Sequence, residues 1–303
     1  MLLLSSITLF FIQHPDSLIV TGFIFGLLVG SFLNVVIYRL PVMLKQEWRE
    51  QCESFFESEP DISAKITSQN DPQQKFNLAV PRSSCPHCGH FITALENIPV
   101  LSYLFLRGRC SSCKVNISPR YPIVEFFTAV LSAVVVAYFG FTWISLAMLF
   151  LTWCLIALSL IDYDTQYLPD NITLPLLWCG LLFSLYNPAV TPVNAIIGAA
   201  AGYLSLWSVF QCFKFFTGKE GMGFGDFKLL AVLGAWLGWK YLLLIIILSS
   251  LVGAVLGILL IIMKGRDKNI PIPFGPYLAA AGWICMIWGD TIIDRYLKIS
   301  GIS

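Results

Sequence analysis

The stretch GMGFGDFKLLAVLGAWLGW, residues 221–239, places three glycines and Asp226 at the entrance to a long apolar segment. Burying a carboxylate in a bilayer is costly, so an ionisable residue at such a position indicates a functional site. The alternative is that Asp226 caps the N-terminus of a helix, a role that aspartate fills well. The three glycines would let a substrate or another helix approach the backbone closely, but these residues alone leave a functional and a capping role for Asp226 equally open.

The composition places this stretch in a membrane protein. Of 303 residues, 57% are hydrophobic and 12% are charged, against about 25% charged residues in ordinary soluble domains. The net charge of +1 gives no basic excess that would indicate a nucleic-acid partner. The sequence therefore predicts an all-α polytopic protein in the lipid bilayer, with about eight transmembrane helices.

The predicted spans are 18–38, 121–139, 142–162, 172–187, 192–213, 227–239, 241–263 and 272–290. The sixth is short and could instead form a re-entrant hairpin with the seventh.

One polar segment, residues 42–120, is long enough to fold by itself. It carries nine basic residues, and basic loops concentrate on the cytoplasmic side of a membrane. We therefore predict three domains: an N-terminal segment with the first span (1–41), a cytoplasmic domain (42–120) and a transmembrane domain (121–303). Within the second, residues 46–75 are polar with little periodicity, which indicates a flexible or partly helical insertion.

Four cysteines in this polar segment form two C-x2-C pairs. Cys85 and Cys88 are separated from Cys110 and Cys113 by 21 residues (89–109), slightly more than the usual spacing of about 15 to 20. Four thiolates can close a tetrahedral Zn²⁺ site, which has no position for water and would be structural. Disulfides or unrelated thiols are the alternatives, although stable disulfides are rare in the cytoplasm. Two histidines, His87 and His90, could substitute as ligands.

The predicted topology puts several acidic residues at the same membrane surface as the polar segment. Asp162, Asp164 and Asp170 lie at the junction of spans three and four, Asp226 lies at the entrance of span six, and Glu125 lies at the start of span two. Two carboxyl groups that share one proton can activate water and polarise a peptide carbonyl, as in aspartic proteases. Asp162 and Asp226 are the candidate pair. For Asp170 we expect a helix cap, and for Asp164 a solvated or supporting position.

The sequence resembles the type IV prepilin leader peptidases of Gram-negative bacteria, which also have N-methyltransferase activity. The resemblance covers nearly the whole chain. Its motifs are GSFLNVVIYRLP (30–41), RSSCPHCGH (82–90), ENIPVLSYLFLRGRCSSC (96–113), SPRYPIVE (118–125), LIDYDTQYLPDNITLPLLWCGL (160–181), GMGFGDFKLLAVLGAWLGW (221–239) and IPFGPYLAAAGW (272–283).

The resemblance implies an activity, two catalytic residues and a location. The catalytic aspartates of the family match Asp162 in LIDYD and Asp226 in GFGD, and GFGD is also similar to the G-x-G-D motif of intramembrane aspartyl proteases. The implied substrates are prepilins and type II secretion pseudopilins, which are cut and then methylated from S-adenosyl-L-methionine. The implied location is the bacterial inner membrane, with the active site at its cytoplasmic face. No residue is assigned to the methyl donor, because no glycine-rich cofactor fingerprint is present.

Two other classes of function remain open from the residues alone. A zinc-regulated transporter or channel could use the acidic residues as proton carriers, but such residues lie near the bilayer midplane rather than at the ends of spans. A scaffold for pilus or secretion assembly would need no catalytic carboxylates.

Overall fold

The computed structural model describes residues 2–57, 76–219, 221–264 and 273–301. Within these ranges the regular elements are helices, and the extended pairing consists of two isolated bridges, Ser84 with Phe91 and Arg109 with Asn116. The helices are α1 (Leu2–Gln13), α2 (Pro15–Glu57), α3 (Leu101–Phe105), α4 (Arg120–Phe139), α5 (Trp143–Thr165), α6 (Asp170–Phe183), α7 (Pro192–Thr217), α8 (Phe224–Leu237), α9 (Leu242–Lys264) and α10 (Gly275–Ser300). The all-α fold is thereby confirmed.

Each of the eight predicted spans corresponds to a helix. Six of these helices are long and apolar enough to cross a membrane: α2, α4, α5, α7, α9 with the short turn before it, and α10. The helices at the fourth and sixth predicted spans, α6 and α8, have 14 residues each. At about 1.5 Å per residue they are about 21 Å long, shorter than the hydrocarbon core of about 30 Å.

The first predicted span continues much further than the sequence indicated. We expected it to end near residue 38, but α2 runs on through Pro41 to Glu57. The beginning of the polar insertion, residues 46–57, is therefore helical. The rest of the insertion, 58–75, lies outside the described residues, as do the basic loop at 265–268 and the first residue of the eighth predicted span.

The chain divides into two compact units, residues 1–19 with 134–303, and residues 20–133. In the first unit, α8 is the central helix and packs against α6, α7 and α10. All residues from Leu229 to Leu237 are buried. Because other helices surround α8, its ends can contact protein rather than lipid. A helix of only 14 residues can therefore lie among the membrane spans.

Close packing of α7 on α8 depends on two glycines. A β-carbon on Gly198 would collide with the carbonyl of Gly234, and one on Gly234 would collide with the carbonyl of Gly198. Small residues permit such backbone contact between membrane helices. On the other side of α8, Trp236 Nε1 donates a hydrogen bond of 2.9 Å to the Leu176 carbonyl of α6.

The second unit combines α2 from residue 20, the cysteine pairs, α3 and the first part of α4. Gly30 lets α2 contact α4 closely, since a β-carbon there would lie 2.7 Å from Glu125 Cα. Arg39 is buried and its guanidinium donates to the carbonyls of Asn77 (2.8 Å) and Pro81 (2.6 Å). Arg39 therefore fixes the start of the cysteine-containing segment against α2.

Candidate active site and cysteine cluster

Asp162 lies in the last turn of α5, and its side chain is buried. The helix ends at Gln166, which adopts the left-handed conformation with φ 55° and turns the chain towards α6. Asp162 Oδ2 accepts a hydrogen bond of 3.0 Å from the backbone amide of Gly275, the first residue of α10. The carboxylate of Asp162 is thus held at the N-terminus of another helix, where backbone amides favour negative charge.

Asp226 lies in the first turn of α8 and is also buried. The capping alternative for this residue is wrong: the N-cap is Gly223, and no side chain makes a capping hydrogen bond there. Among the hydrogen bonds of the described residues, none is made to the Asp226 carboxylate. A buried carboxylate without a structural partner is the pattern expected of a reactive group rather than a scaffold group.

One loop residue packs beside the chain neighbour of Asp226 and the hydrogen-bond partner of Asp162. Leu168, in the connection from α5 to α6, is buried. A β-carbon on Gly225 would lie 2.8 Å from Leu168 Cβ, and one on Gly275 would lie 3.3 Å from Leu168 Cδ1. Leu168 is therefore packed between the residue preceding Asp226 and the residue that binds Asp162. Asp162, through its partner Gly275, and Asp226, through the preceding Gly225, are thus both next to this one loop residue.

The two neighbouring aspartates occupy different environments. Asp164 is exposed, as expected for a solvated position. The expectation that Asp170 caps α6 is wrong, because the N-cap is Pro169 and no side-chain capping bond is made. Asp170 instead accepts hydrogen bonds from the Lys228 ammonium, at 2.7 Å to Oδ1 and 2.8 Å to Oδ2. This ion pair joins the start of α6 to the start of α8.

Glu125 belongs to the other unit and has a structural partner there. It is buried in α4, and its Oε2 accepts a hydrogen bond of 2.8 Å from the Val100 amide. The carboxylate therefore fixes the turn before α3 against α4.

The four cysteines converge in the second unit. The sulfur atoms of Cys85, Cys88, Cys110 and Cys113 all lie within 4.8 Å of one another, the one such cluster of potential metal ligands in the described part of the chain. Cys85 Sγ lies 3.8 Å from Cys113 Sγ, and Cys88 Sγ lies 4.0 Å from Cys110 Sγ. Tetrahedral Zn–S bonds of about 2.3 Å require sulfur atoms about 3.8 Å apart. The donor set thus fits zinc.

The surroundings favour the thiolate of Cys110 but not that of Cys113, where the hydrogen bond from the Val115 backbone is outweighed by desolvation together with the neighbouring thiols, which raise the pKa to about 11. The backbone amides of Cys113 and Ser112 lower the pKa of the Cys110 thiol to about 6. His90 is not drawn into the cluster, since its Nε2 lies 3.2 Å from Glu96 Oε1. Hydrogen bonds from Ser111 and then Thr93 lower the pKa of the Glu96 carboxyl to about 2. The Glu96 carboxylate thereby connects both cysteine pairs.

Taken together, the helical fold, the apolar spans and the paired buried aspartates define a polytopic membrane protein with a candidate carboxylate active site. Two family models match the chain: a Bacterial Peptidase A24 N-terminal domain over residues 24–139, and the Type IV leader peptidase family over residues 149–258. The chain belongs to the type IV leader peptidase family, and its activity is that of a leader peptidase and N-methyltransferase.

Curated relatives are similar to the chain over nearly its full length. A prepilin leader peptidase/N-methyltransferase of Aeromonas salmonicida is 56% identical over 276 residues, which cover 91% of this chain and 92% of the relative. The protein of the same name from Pseudomonas aeruginosa is 52% identical over 96% of this chain and 97% of its own. That of Legionella pneumophila is 45% identical over 94% and 96%. No solved structure matches the chain. The transporter alternative finds no support in these relatives.

Proposed function

We propose that Asp162 and Asp226 are the catalytic pair of a membrane endopeptidase that removes the leader peptide from type IV prepilins and type II secretion pseudopilins. The observation that supports the proposal is the packing of Leu168 between Gly225, which precedes Asp226, and Gly275, which binds Asp162; both carboxylates are buried. The names of the relatives supply the substrate class, prepilins. The extension to pseudopilins rests on the resemblance of the motifs.

The paired carboxylates supply the chemistry of peptide hydrolysis. One carboxylate takes a proton from water, and the resulting hydroxide forms a bond to the carbonyl carbon of the scissile peptide. The other carboxyl group, which is neutral, donates its proton to the carbonyl oxygen. In the second step the C–N bond breaks, and the leaving amine takes up the proton held by the first carboxylate. As the C=O bond of the product re-forms, the hydroxyl that was protonated in the first step returns its proton to the second carboxylate. The pair therefore ends the cycle with the single shared proton that it had at the start.

The hydrogen bond from Gly275 assigns a positioning role to α10. Because the backbone amide is already engaged with Asp162 Oδ2 before substrate binds, the carboxylate does not need to reorient in the reaction. Asp226 has no such donor among the described residues, and is therefore the more adaptable partner for a substrate carbonyl.

For the cysteine cluster we propose a structural zinc ion held by Cys85, Cys88, Cys110 and Cys113. Four sulfur ligands leave no open coordination position for water, so the zinc would stabilise the fold rather than take part in hydrolysis. The ion joins two chain segments that have few regular backbone hydrogen bonds of their own, since each makes a single isolated bridge.

The second reaction is methylation of the new N-terminal residue, for which S-adenosyl-L-methionine is the proposed methyl donor. The described residues contain no strand-to-helix turn of the kind that binds dinucleotides, so the donor does not fit a site of that type.

We further propose an inner-membrane location, with residues 42–120 and the aspartate pair at the cytoplasmic face. The domains proposed are 1–41, 42–120 and 121–303. The nine basic residues of the middle segment support this orientation. A reporter fused near residue 70 that is active only in the periplasm would reverse the orientation of the whole chain.

Incubation with a panel of substrates tests the function directly. Detergent-purified protein is mixed with leader-bearing pilins and pseudopilins, and mass spectrometry identifies the new N-termini. We expect one cut per substrate and, when S-adenosyl-L-methionine is present, an added mass of one methyl group on the mature chain. Intact substrates after incubation with well-folded protein would contradict the proposed peptidase.

A further inference from the structure

The short helix α3 has an exposed apolar face. Leu101, Leu104 and Phe105 have exposed fractions of 52%, 64% and 84%. Their spacing of three and four residues puts them on one side of a helix. Tyr103 lies on the other side, where its ring limits the space at Gly108 and its hydroxyl donates to the Ile117 carbonyl at 3.5 Å. Tyr103 thus fixes α3 against the second cysteine pair with the apolar face outward.

The position of α3 along a membrane-spanning helix can be derived from one hydrogen bond. Val100, immediately before α3, donates its amide to Glu125 Oε2 at 2.8 Å. Glu125 is five residues beyond Arg120, where α4 begins, and therefore about 7.5 Å further along the helix axis. The 20 residues of α4 span about 30 Å, the thickness of the hydrocarbon core. The Val100 amide is consequently at, or just inside, the membrane boundary.

The charges next to the apolar face suit anionic lipid. Arg107 and Arg109 follow α3 directly and are exposed. The acidic residues of this region already have partners: Glu96 binds His90 and Thr93, and Glu125 binds Val100. Basic residues beside an exposed apolar face are typical of segments that lie in the membrane interface.

We propose that α3 is an interfacial anchor, in which Leu101, Leu104 and Phe105 insert at the boundary between acyl chains and headgroups of the bilayer crossed by α4. Arg107 and Arg109 then lie at the level of the lipid phosphates. The anchor would hold the cysteine-containing segment flat against the membrane surface. This inference depends on α4 crossing the membrane, and not on the roles of Asp162 and Asp226.

Photocross-linking in the full-length protein tests the anchor. p-Benzoylphenylalanine replaces Phe105, and the protein is reconstituted in vesicles of phosphatidylethanolamine and phosphatidylglycerol. Irradiation should join the probe to lipid acyl chains, which mass spectrometry detects. The matched control carries the same probe at Phe91, another exposed aromatic residue of the same unit that follows the first cysteine pair. We expect at least about fivefold more lipid adducts at position 105 than at position 91, because position 105 belongs to the apolar face that the proposal inserts into the interface.

Three outcomes would overturn the proposal. Equal lipid labelling at positions 105 and 91 would mean that α3 lies no deeper in the bilayer than the segment after the first cysteine pair. Cross-links from position 105 to another segment of the same chain, or to a second copy, would show that protein rather than lipid covers the apolar face. Gel filtration of both probe-bearing proteins provides the folding control, since exposed positions should tolerate the probe without aggregation.

Discussion

Asp162 and Gly275 are joined by a hydrogen bond of 3.0 Å from the Gly275 amide to Asp162 Oδ2. A β-carbon on Gly275 would lie 2.7 Å from the same oxygen and 3.3 Å from Leu168 Cδ1. Position 275 therefore accepts only glycine without displacement of the carboxylate or of the loop that carries Leu168. The start of α10 thus defines one wall of the candidate active site.

Gly275→Ala should lower prepilin cleavage by about 10- to 100-fold, since a displacement of about 1 Å at a reacting group costs up to about 100-fold in rate. The rate of cleavage and the thermal stability of the purified protein are both measured. Gly180→Ala is the comparison, because its β-carbon would collide with the Trp236 ring and not with either aspartate. That variant should lose stability without a selective loss of kcat. A fully active Gly275→Ala protein would exclude the positioning role of α10.

The sequence predicted the positions of the helices but not the partners of the polar side chains. Apolar length and charge predict spans, because both depend only on local composition. Asp170 shows the limit: its place before an apolar run predicted a cap, yet its partner is Lys228, 58 residues further along the chain. Long-range pairing of this kind depends on how α6 packs on α8, which no local pattern contains.

Lys228 and Asp170 should contribute to cleavage as a pair. The pair joins the starts of α6 and α8, so Lys228→Ala or Asp170→Asn should loosen the position of Asp226 and reduce kcat several-fold. Because both side chains are partly exposed, the loss in unfolding free energy should be at most about 1 kcal/mol. Lys228→Arg should retain most activity, since it can still donate to both Asp170 oxygens.

The exposed ion pair between Lys240 and Asp290 is the matched control for this prediction. Lys240→Ala removes a similar interaction at a site remote in sequence from both aspartates, and should leave kcat unchanged. The exchanged pair, Asp170→Lys with Lys228→Asp, should recover part of the lost rate. Equal effects of Lys228→Ala and Lys240→Ala on kcat would show that the ion pair of Lys228 with Asp170 does not specifically support the active site.

Zinc should be bound at one ion per chain. Replacing any one of Cys85, Cys88, Cys110 and Cys113 by serine should remove the ion and loosen residues 76–119, because binding of structural zinc also provides folding free energy. Elemental analysis of protein purified without chelator measures the metal, and limited proteolysis measures the loosening. Cys285→Ser is the control, as Cys285 is buried in the other unit. Absence of zinc from the unmodified protein would contradict the assignment.

Methylation should be separable from cleavage. Asp226→Asn removes the ionisable group from the candidate peptidase site but leaves the second unit, residues 20–133, unchanged. Transfer of a methyl group to a synthetic pilin that has already been cut should therefore remain near the level of the unmodified protein. The measurement uses S-adenosyl-L-methionine with a labelled methyl group. Loss of both activities together in a stable Asp226→Asn protein would indicate one shared site.

The candidate site illustrates what a motif can and cannot predict. Asp162 and Asp226 were selected from their placement at the ends of spans and from the resemblance of LIDYD and GFGD. Leu168 and Gly275 were not selected, although both occur within quoted motifs. A leucine in a loop and a glycine before a proline have no chemical signature of their own. Their role appears only when α5, α8 and α10 are packed together.

Asp162→Asn and Asp226→Asn should each abolish nearly all cleavage while the protein remains in the membrane at normal abundance. Asparagine keeps the shape of the side chain but can neither accept a proton from water nor share one with the remaining carboxylate. Cleavage of one prepilin by single variants, at matched expression, gives the measurement. Asp164→Asn is the matched control, because Asp164 is two residues from Asp162 but exposed, and should retain most of the rate.

The pH dependence of cleavage tests whether the two aspartates act as one unit. If one carboxyl group must be neutral and the other ionised, activity should rise and then fall with pH, with two apparent pKa values that belong to the pair. Removing either carboxyl should eliminate this profile along with the activity, whereas Asp164→Asn should leave its shape unchanged. Cleavage near the normal rate by Asp162→Asn or Asp226→Asn would reject the pair. Gly225 would then be explained by its packing against Leu168 alone, and Gly223 by its position as the N-cap of α8.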